Sequence, residues 1–449
     1  MIIDDKVFQQ QFLKVGTSKQ KPVNFTYKAE FVDENNSVIP VHNVLRLQVA
    51  ANYIEHFSDV IFYTMDMFKS NYFKLLKTNR KSLMLRVTKT ECSYTGIINQ
   101  NATSSSRLYD VALTNTTSEA VETRPGKLTG TEWDDLGGFH ELTVQLIERG
   151  LNEFRNWDVP ARVYKNCNLT TLLQGFMSTP LKSLDPNMKV GYGCTIHPPD
   201  NDVKFFQRKI PAGIRIYKFP RHMQNTVGVY GNGLASYLSN SMWHVFPTHN
   251  VDRYTNGSKK MTIINVPRNE MMGNNNSYFL DANDDELYVY ATGDTSHVDN
   301  SDRAMNKVGT GFTTVNPNNL LDGFVKNDKG TLVIPKGQNL MSVNFDSRSS
   351  DINNVKTSKP ISGNRFNEAS KITKSMVNTI VVTWEYSNTD LLYPGMPVKF
   401  IYKNGETAHM LHGVLAGHHT EAITPMQSVT DHRYKSTTQL ILTVERASN

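Results

Sequence analysis

Cysteine is nearly missing from this chain of 449 residues: Cys92, Cys167 and Cys194 are the whole supply. They are far apart, odd in number and form no CxxC pair. That excludes a disulfide framework and makes a reducing cytoplasm the expected place of folding. Long apolar runs are missing too. Nothing approaches the roughly 18 residues that a membrane-spanning helix needs, so no membrane insertion is expected. The start, Met1-Ile-Ile-Asp-Asp, has neither a basic n-region nor an apolar h-region, so no secretory signal is expected. Charge of one sign is lacking as well: 48 basic and 42 acidic residues leave a net +6. No basic block stands out, and sequence-specific nucleic-acid binding is not expected. The densest basic stretch, Lys74 to Lys89, mixes with strand formers and reads as a solvated strand face.

Catalytic signatures are also scarce. There is no GxSxG and no HExxH; His140-Glu141 comes nearest, but Val144 stands where the second histidine would be. Gly191-Tyr-Gly193 is a lone GxG, and the acidic pairs Asp134-Asp135 and Asp284-Asp285 lie in loop composition. The run Asp281 to Glu286 lacks the glycine and the terminal glutamate of an EF-hand loop. One cluster merits testing as a metal site: His409, His412, His418 and His419, with His432 beyond. A zinc site needs three or four donors converging on one point. In a strand, His409 and His412 would face opposite ways, and Gly417-His418-His419 reads as an exposed turn. The expectation is therefore a surface group of histidines, with no catalytic, cofactor-binding or metal residues and no cofactor. A metal-dependent hydrolase at this cluster is the rival.

What the chain does have is period-two alternation, with Asn, Thr and Ser crowding the segments between. Leu83, Leu85 and Val87 alternate against Met84 and Arg86; Phe25, Tyr27, Ala29 and Phe31 share one face; Leu45, Leu47 and Val49 leave Arg46 and Gln48 for the other. Such patterns mark strands with one buried face. Asp59 to Met67, Thr379 to Tyr386, Pro397 to Tyr402, Met410 to Leu415 and Thr437 to Val444 are further strands. Phe139 to Phe154 fits a strand or a helix equally, and Asn99 to Asp135 reads as a polar loop or hairpin. From Asn168 the period changes: Leu169, Leu172, Leu173, Phe176 and Met177 form one helix face, with Asn168 as its N-cap. A short helix is predicted at His222 to Tyr230, strands at Ser236 to Phe246 and Lys260 to Val266, and a loop from Cys194 to Pro211. Strands are also expected at Glu286 to Ala291, Thr331 to Pro335 and Asn339 to Phe345. The fold class is thus mainly β (α+β): two tube-like antiparallel β-barrel domains with an inserted mixed middle region containing short helices. The expected domains are 1–165, a first tube-like barrel; 166–267, a helix-plus-strand module; 268–375, a loop-rich β insertion; and 376–449, a second small barrel.

Several segments, in order, resemble the baseplate hub proteins of contractile phage tails, a family similar in turn to the hub part of type VI secretion spikes. They are the strands of Leu45 to Thr90; Leu142 to Met177, with Arg162 to Leu169 and Leu172-Leu173; and Met223 to Val266, where Val229-Tyr230-Gly231 leads to Tyr237 to Pro247 and Met261-Thr-Ile-Ile-Asn-Val266. Near the C-terminus, Leu391-Leu-Tyr-Pro-Gly-Met-Pro-Val398, Gly413 and Leu440 to Val444 are similar to the family's last barrel. Residues 268–375 have no counterpart. The resemblance implies a non-enzymatic virion protein of the tail or baseplate, assembled in the host cytoplasm. It implies a homotrimer joining the hexameric tail tube to the trimeric central spike, with the tube, spike, wedge and tape-measure proteins as partners. Another baseplate role, as a wedge or receptor-binding module, is the alternative.

Overall fold

The structure is a computed structural model. Apart from short breaks it describes residues 2–113, 138–178, 193–266, 277–299, 377–424 and 434–445, with four short strands within 324–360 and Phe366. The N-terminal part comprises β1 (Ile2–Ile3), α1 (Asp5–Gly16), β2 (Asn24–Val32), β3 (Val38–Pro40), β4 (Asn43–Asn52), β5 (Val60–Phe68), α2 (Lys69–Lys77), β6 (Met84–Cys92), β7 (Ser104–Leu113) and β8 (Phe139–Glu148). The order β4-β5-β8-β7-β6-β2-β3 is antiparallel throughout. The alternation works as predicted: Leu83, Leu85 and Val87 are buried, and with Phe31, Met65, Met67 and Val144 they fill the inside of the curled sheet. The ambiguous stretch from Phe139 resolves as strand β8, because Leu142, Val144 and Leu146 are buried at every second position.

One open choice resolves here, one expectation needs correction and one helix is additional. Of the loop or hairpin expected at Asn99 to Asp135, residues 104–113 form a strand antiparallel to β6: serines and threonines are matched across it, Thr88 donating to Ser106 at 3.3 Å and Thr90 facing Ser104 at 3.2 Å. The basic stretch from Lys74 is the end of α2 followed by β6, not one strand. And α1, unread in the sequence, buries Phe8 and Val15 against Ile264, Tyr290 and Ile401, with Phe12 half-buried between. The remainder of the polar stretch, 114–135, lies outside the described residues, as do 347–354.

The middle module holds α3 (Leu151–Asn156), β9 (Asp158–Val159), β10 (Arg162–Cys167), α4 (Leu169–Ser178), β11 (Gly193–Ile196), β12 (Phe205–Ile210), β13 (Ile214–Arg215), α5 (Phe219–Thr226), β14 (Leu234–Ser239) and β15 (Met242–Pro247). The predicted apolar face of α4 is buried in full, and Asn168 caps it: its Oδ1 accepts from the Thr171 amide at 2.8 Å. Cys194 to Pro211, expected as loop, contributes two strands. β11 is only four residues long and runs parallel to β15, and β12 pairs with β10, so neither alternates visibly. The strands expected at Ser236 to Phe246 form a hairpin, turning at Asn240 with φ +52°.

The third part closes. It is built from α6 (Arg253–Asn256), β16 (Lys260–Asn265), β17 (Tyr278–Asp281), β18 (Glu286–Asp299), β19 (Phe324–Asn327), β20 (Gly330–Val333), β21 (Met341–Asn344), β22 (Lys356–Pro360), β23 (Val377–Glu385), β24 (Pro397–Asn404), β25 (Thr407–Ile423) and β26 (Lys435–Glu445). The order β24-β16-β18-β23-β26-β25 returns to β24, a closed six-stranded barrel. Its pairing is mixed rather than wholly antiparallel: β16 runs parallel to both β18 and β24. Two barrel strands come from 260–299, ahead of residue 376. Long connections on either side make parallel pairing feasible. Trp384, Phe400, Ile263, Val289 and Leu442 fill the centre.

One strand belongs to both sheets. The first half of β25, Thr407–Val414, pairs with β24, its second half, Gly417–Ile423, with β4, and β26 lines its other side. A register shift between Leu415 and Gly417 marks the handover. Among the described residues, no helix is long and apolar enough to cross a membrane.

Candidate assembly site

The histidines do not converge. His409 stacks on Tyr402, centroids 5.2 Å apart, while His412, on the opposite face, stacks on Tyr254 at 5.5 Å. Gly417-His418-His419 is mid-strand, not an exposed turn: His418 is 6% exposed and His419 points to solvent. Among the described residues no three His, Cys, Asp or Glu side chains are placed to share a metal ion. His432, Asp134-Asp135, Asp284 and Gly191-Tyr192 lie outside the described residues. His140 stacks against Tyr72 at 3.9 Å. Cys92 and Cys167 are buried; burial pushes the half-buried Cys194 thiol up to about 12, the reverse of an activated nucleophile.

Where β25 passes from one sheet to the other, a polar cavity of about 130 Å³ opens inside the N-terminal curled sheet. Asp59 accepts from the Tyr237 hydroxyl at 2.7 Å, and Lys89 donates to Asp390 at 2.7 Å while lying 3.7 Å from the centre of the Phe25 ring. Burial raises the Asp59 carboxyl to about 6, against the hydrogen bond from Tyr237 and the charge of Arg107. Burial also lowers His418 to about 4. The alternation of Tyr27, Leu47 and Tyr63 identifies the wall, but nothing local reveals that charged groups gather at one end of it.

A second buried network was not legible in the sequence. Glu286 is 5% exposed and accepts from Tyr254 and Thr262. Burial tends to raise its carboxyl, but those hydrogen bonds and the Lys399 charge outweigh burial and hold it below the usual range. Its partners come from α6, β16 and β24, so it is a brace across the barrel wall.

The surfaces available to other chains are sheet edges and exposed apolar side chains. Residues Asn24–Ala29 of β2 have one hydrogen-bonded neighbour, β6, among the described strands, and β3 is paired on one side only. The edge is bent back on the sheet: Tyr27 meets Tyr434 edge-on at 4.9 Å, and the Tyr434 hydroxyl donates to the Val44 carbonyl. At one end of the strands, His42, Phe68 and Phe139 form a half-exposed aromatic cluster, centroids 4.6 to 5.4 Å apart. Phe206 on β12 is 82% exposed. Unpaired edges beside exposed aromatics are surfaces that a solitary chain does not favour.

Among solved structures the chain is similar to two tail proteins and to a PdpA-VgrG complex. The tail protein from Neisseria meningitidis MC58 aligns over 93% of this chain and 96% of its own, at 11% identity and a TM-score of 0.45. The 43 kDa tail protein of prophage MuSo2 from Shewanella oneidensis aligns over 94% and 97%, at 8% identity and TM-score 0.44. The Francisella PdpA-VgrG complex aligns over 99% of this chain and 63% of the other, at 8% identity and TM-score 0.37. No protein-family model and no curated protein matches the chain.

Proposed function

We propose that this chain is a non-enzymatic structural component of a phage-type tail, a homotrimeric hub that joins a hexameric tail tube to a trimeric central spike. One observation carries this reading: β25 welds two curled β-walls into a single 15-stranded sheet, so that each chain presents two tube-like units in fixed relation. Three copies would offer six such units on one side and threefold symmetry on the other, which suits a sixfold-to-threefold adapter. The edge strands β2, over Asn24–Ala29, and β3, each paired on one side only among the described strands, would give a neighbouring chain a place to pair. The expected partners are the tube, spike, wedge and tape-measure proteins, in a virion tail assembled in the host cytoplasm. The domain division 1–165, 166–267, 268–375 and 376–449 remains part of the proposal, with barrel strands also drawn from 260–299.

Light scattering on the purified chain should give about three times 50.8 kDa, and negative-stain images of the same peak should show a ring with an open centre. A monomer at high concentration with no ring would overturn the trimeric hub and leave a peripheral baseplate role.

A further inference from the structure

A cavity of about 550 Å³ opens between the turn after β4 and the face of α5. Its charge is one-sided. Arg215, Lys218, Arg221 and His222 line one wall and His56 the other, while Glu55 is the single carboxylate among the described residues of the lining. Arg215 is partly answered by Asp158 at 3.3 Å and donates to the Asn156 carbonyl. Lys218 lies 5.5 Å from the Tyr217 ring, and Arg221 has no carboxylate partner among the described residues. Between the walls the floor is apolar: Phe57 packs on Tyr217 with centroids 4.7 Å apart, and Leu234 adjoins them. The Ser236 hydroxyl, also in the lining, is buried without a hydrogen-bond partner.

The cleft has the size of ligand sites, which run to roughly 300–1,000 Å³. Its cations are spread around an apolar floor instead of converging on one point, so a single small anion would reach few of them at once. An extended segment with carboxylates on either side of an apolar residue matches both features.

We propose that this cleft docks an acidic peptide segment of a partner protein, its carboxylates held by Lys218 and Arg221 and an apolar side chain resting on Phe57 and Tyr217. The site goes beyond the hub reading and does not depend on it, since the cleft is complete within one chain.

The test uses a fluorescein-labelled peptide alternating glutamate with leucine, and its glutamine counterpart, read by anisotropy against the full chain. The acidic peptide should bind saturably and about tenfold or more tighter than the neutral one, weakening as salt rises. Lys218→Glu with Arg221→Glu should abolish binding. Lys165→Glu with Lys209→Glu, exposed on the β10–β12 ribbon and outside the cleft lining, should leave it unchanged; circular dichroism confirms that both variants fold. Equal affinity for the two peptides, no saturable binding, or equal loss in both variants would overturn the proposal. So would complete displacement by millimolar inorganic phosphate, which would make the cleft a small-anion site.

Discussion

Asp59 and His418 line one cavity and pull stability in opposite directions with pH. The folded chain keeps the Asp59 proton up to about 6, whereas the unfolded carboxyl loses it near 3.8. The folded state thus binds more protons across that interval, and stability falls as pH rises through it. His418 behaves conversely. Unfolded, it takes up a proton near 6.5; folded, it refuses one until about 4, so stability falls as pH drops across that window. Each masks the other in the wild type. Asp59→Asn should therefore match the wild-type melting temperature below about pH 4 and exceed it above about pH 6. His418→Gln should flatten the acid-side loss between pH 6.5 and 4. Melting curves at several pH values check both; an Asp59→Asn difference that is constant with pH would refute the assignment.

At the scale of elements, two glycines separate packing from propensity. A Cβ at Gly417 would stand 2.2 Å from the Ala51 carbonyl oxygen, across the β25–β4 pairing. Gly417→Ala should cost about 1–3 kcal/mol by overpacking, seen as a lower urea midpoint. At Gly175, inside α4, an added Cβ meets nothing within 4 Å. Gly175→Ala should stabilise by about 0.5–1 kcal/mol, because alanine loses less backbone freedom in a helix.

What was legible follows from how locally each element announces itself. Leu83, Leu85 and Val87, or the face of α4 with its Asn168 cap, carry their fold in adjacent letters. Helix α1 was legible in principle, since Phe8, Phe12 and Val15 keep helical spacing, but its turn-rich surroundings hid it. Strand β11 has four residues and no alternation, and its partner β15 lies nearly fifty positions on. The parallel placement of β16 between β18 and β24, and the Glu286 brace, depend on residues that only the closed barrel brings together. So does the one-sided cleft: Arg221 reads as ordinary surface until the turn at Ile54–Phe57 is set opposite it.

At the scale of the whole molecule, a closed barrel and a curled, open-edged sheet share a single wall. Among the described strands the six-stranded barrel closes on itself, with only the short β1 and β17 attached along one side each, so association should run through the other half. The expected trimer should therefore persist on dilution as a large obligate contact does, rather than dissociate in proportion to concentration. Sedimentation over a hundredfold range of concentration would separate these outcomes.

The shared strand also orders events in time. Gly417 pairs with Asn52 and His409 with Ile2, contacts separated by more than 360 positions. Neither sheet can be completed until β25 and β26 leave the ribosome, and until then β4 exposes its edge over Arg46–Asn52. The waiting chain is open to mispairing with other nascent copies. The pairing of β25 that joins the two halves of the chain is thus the step at which its folding is most exposed to aggregation. A late, slow folding phase is the kinetic signature expected of such distant pairing.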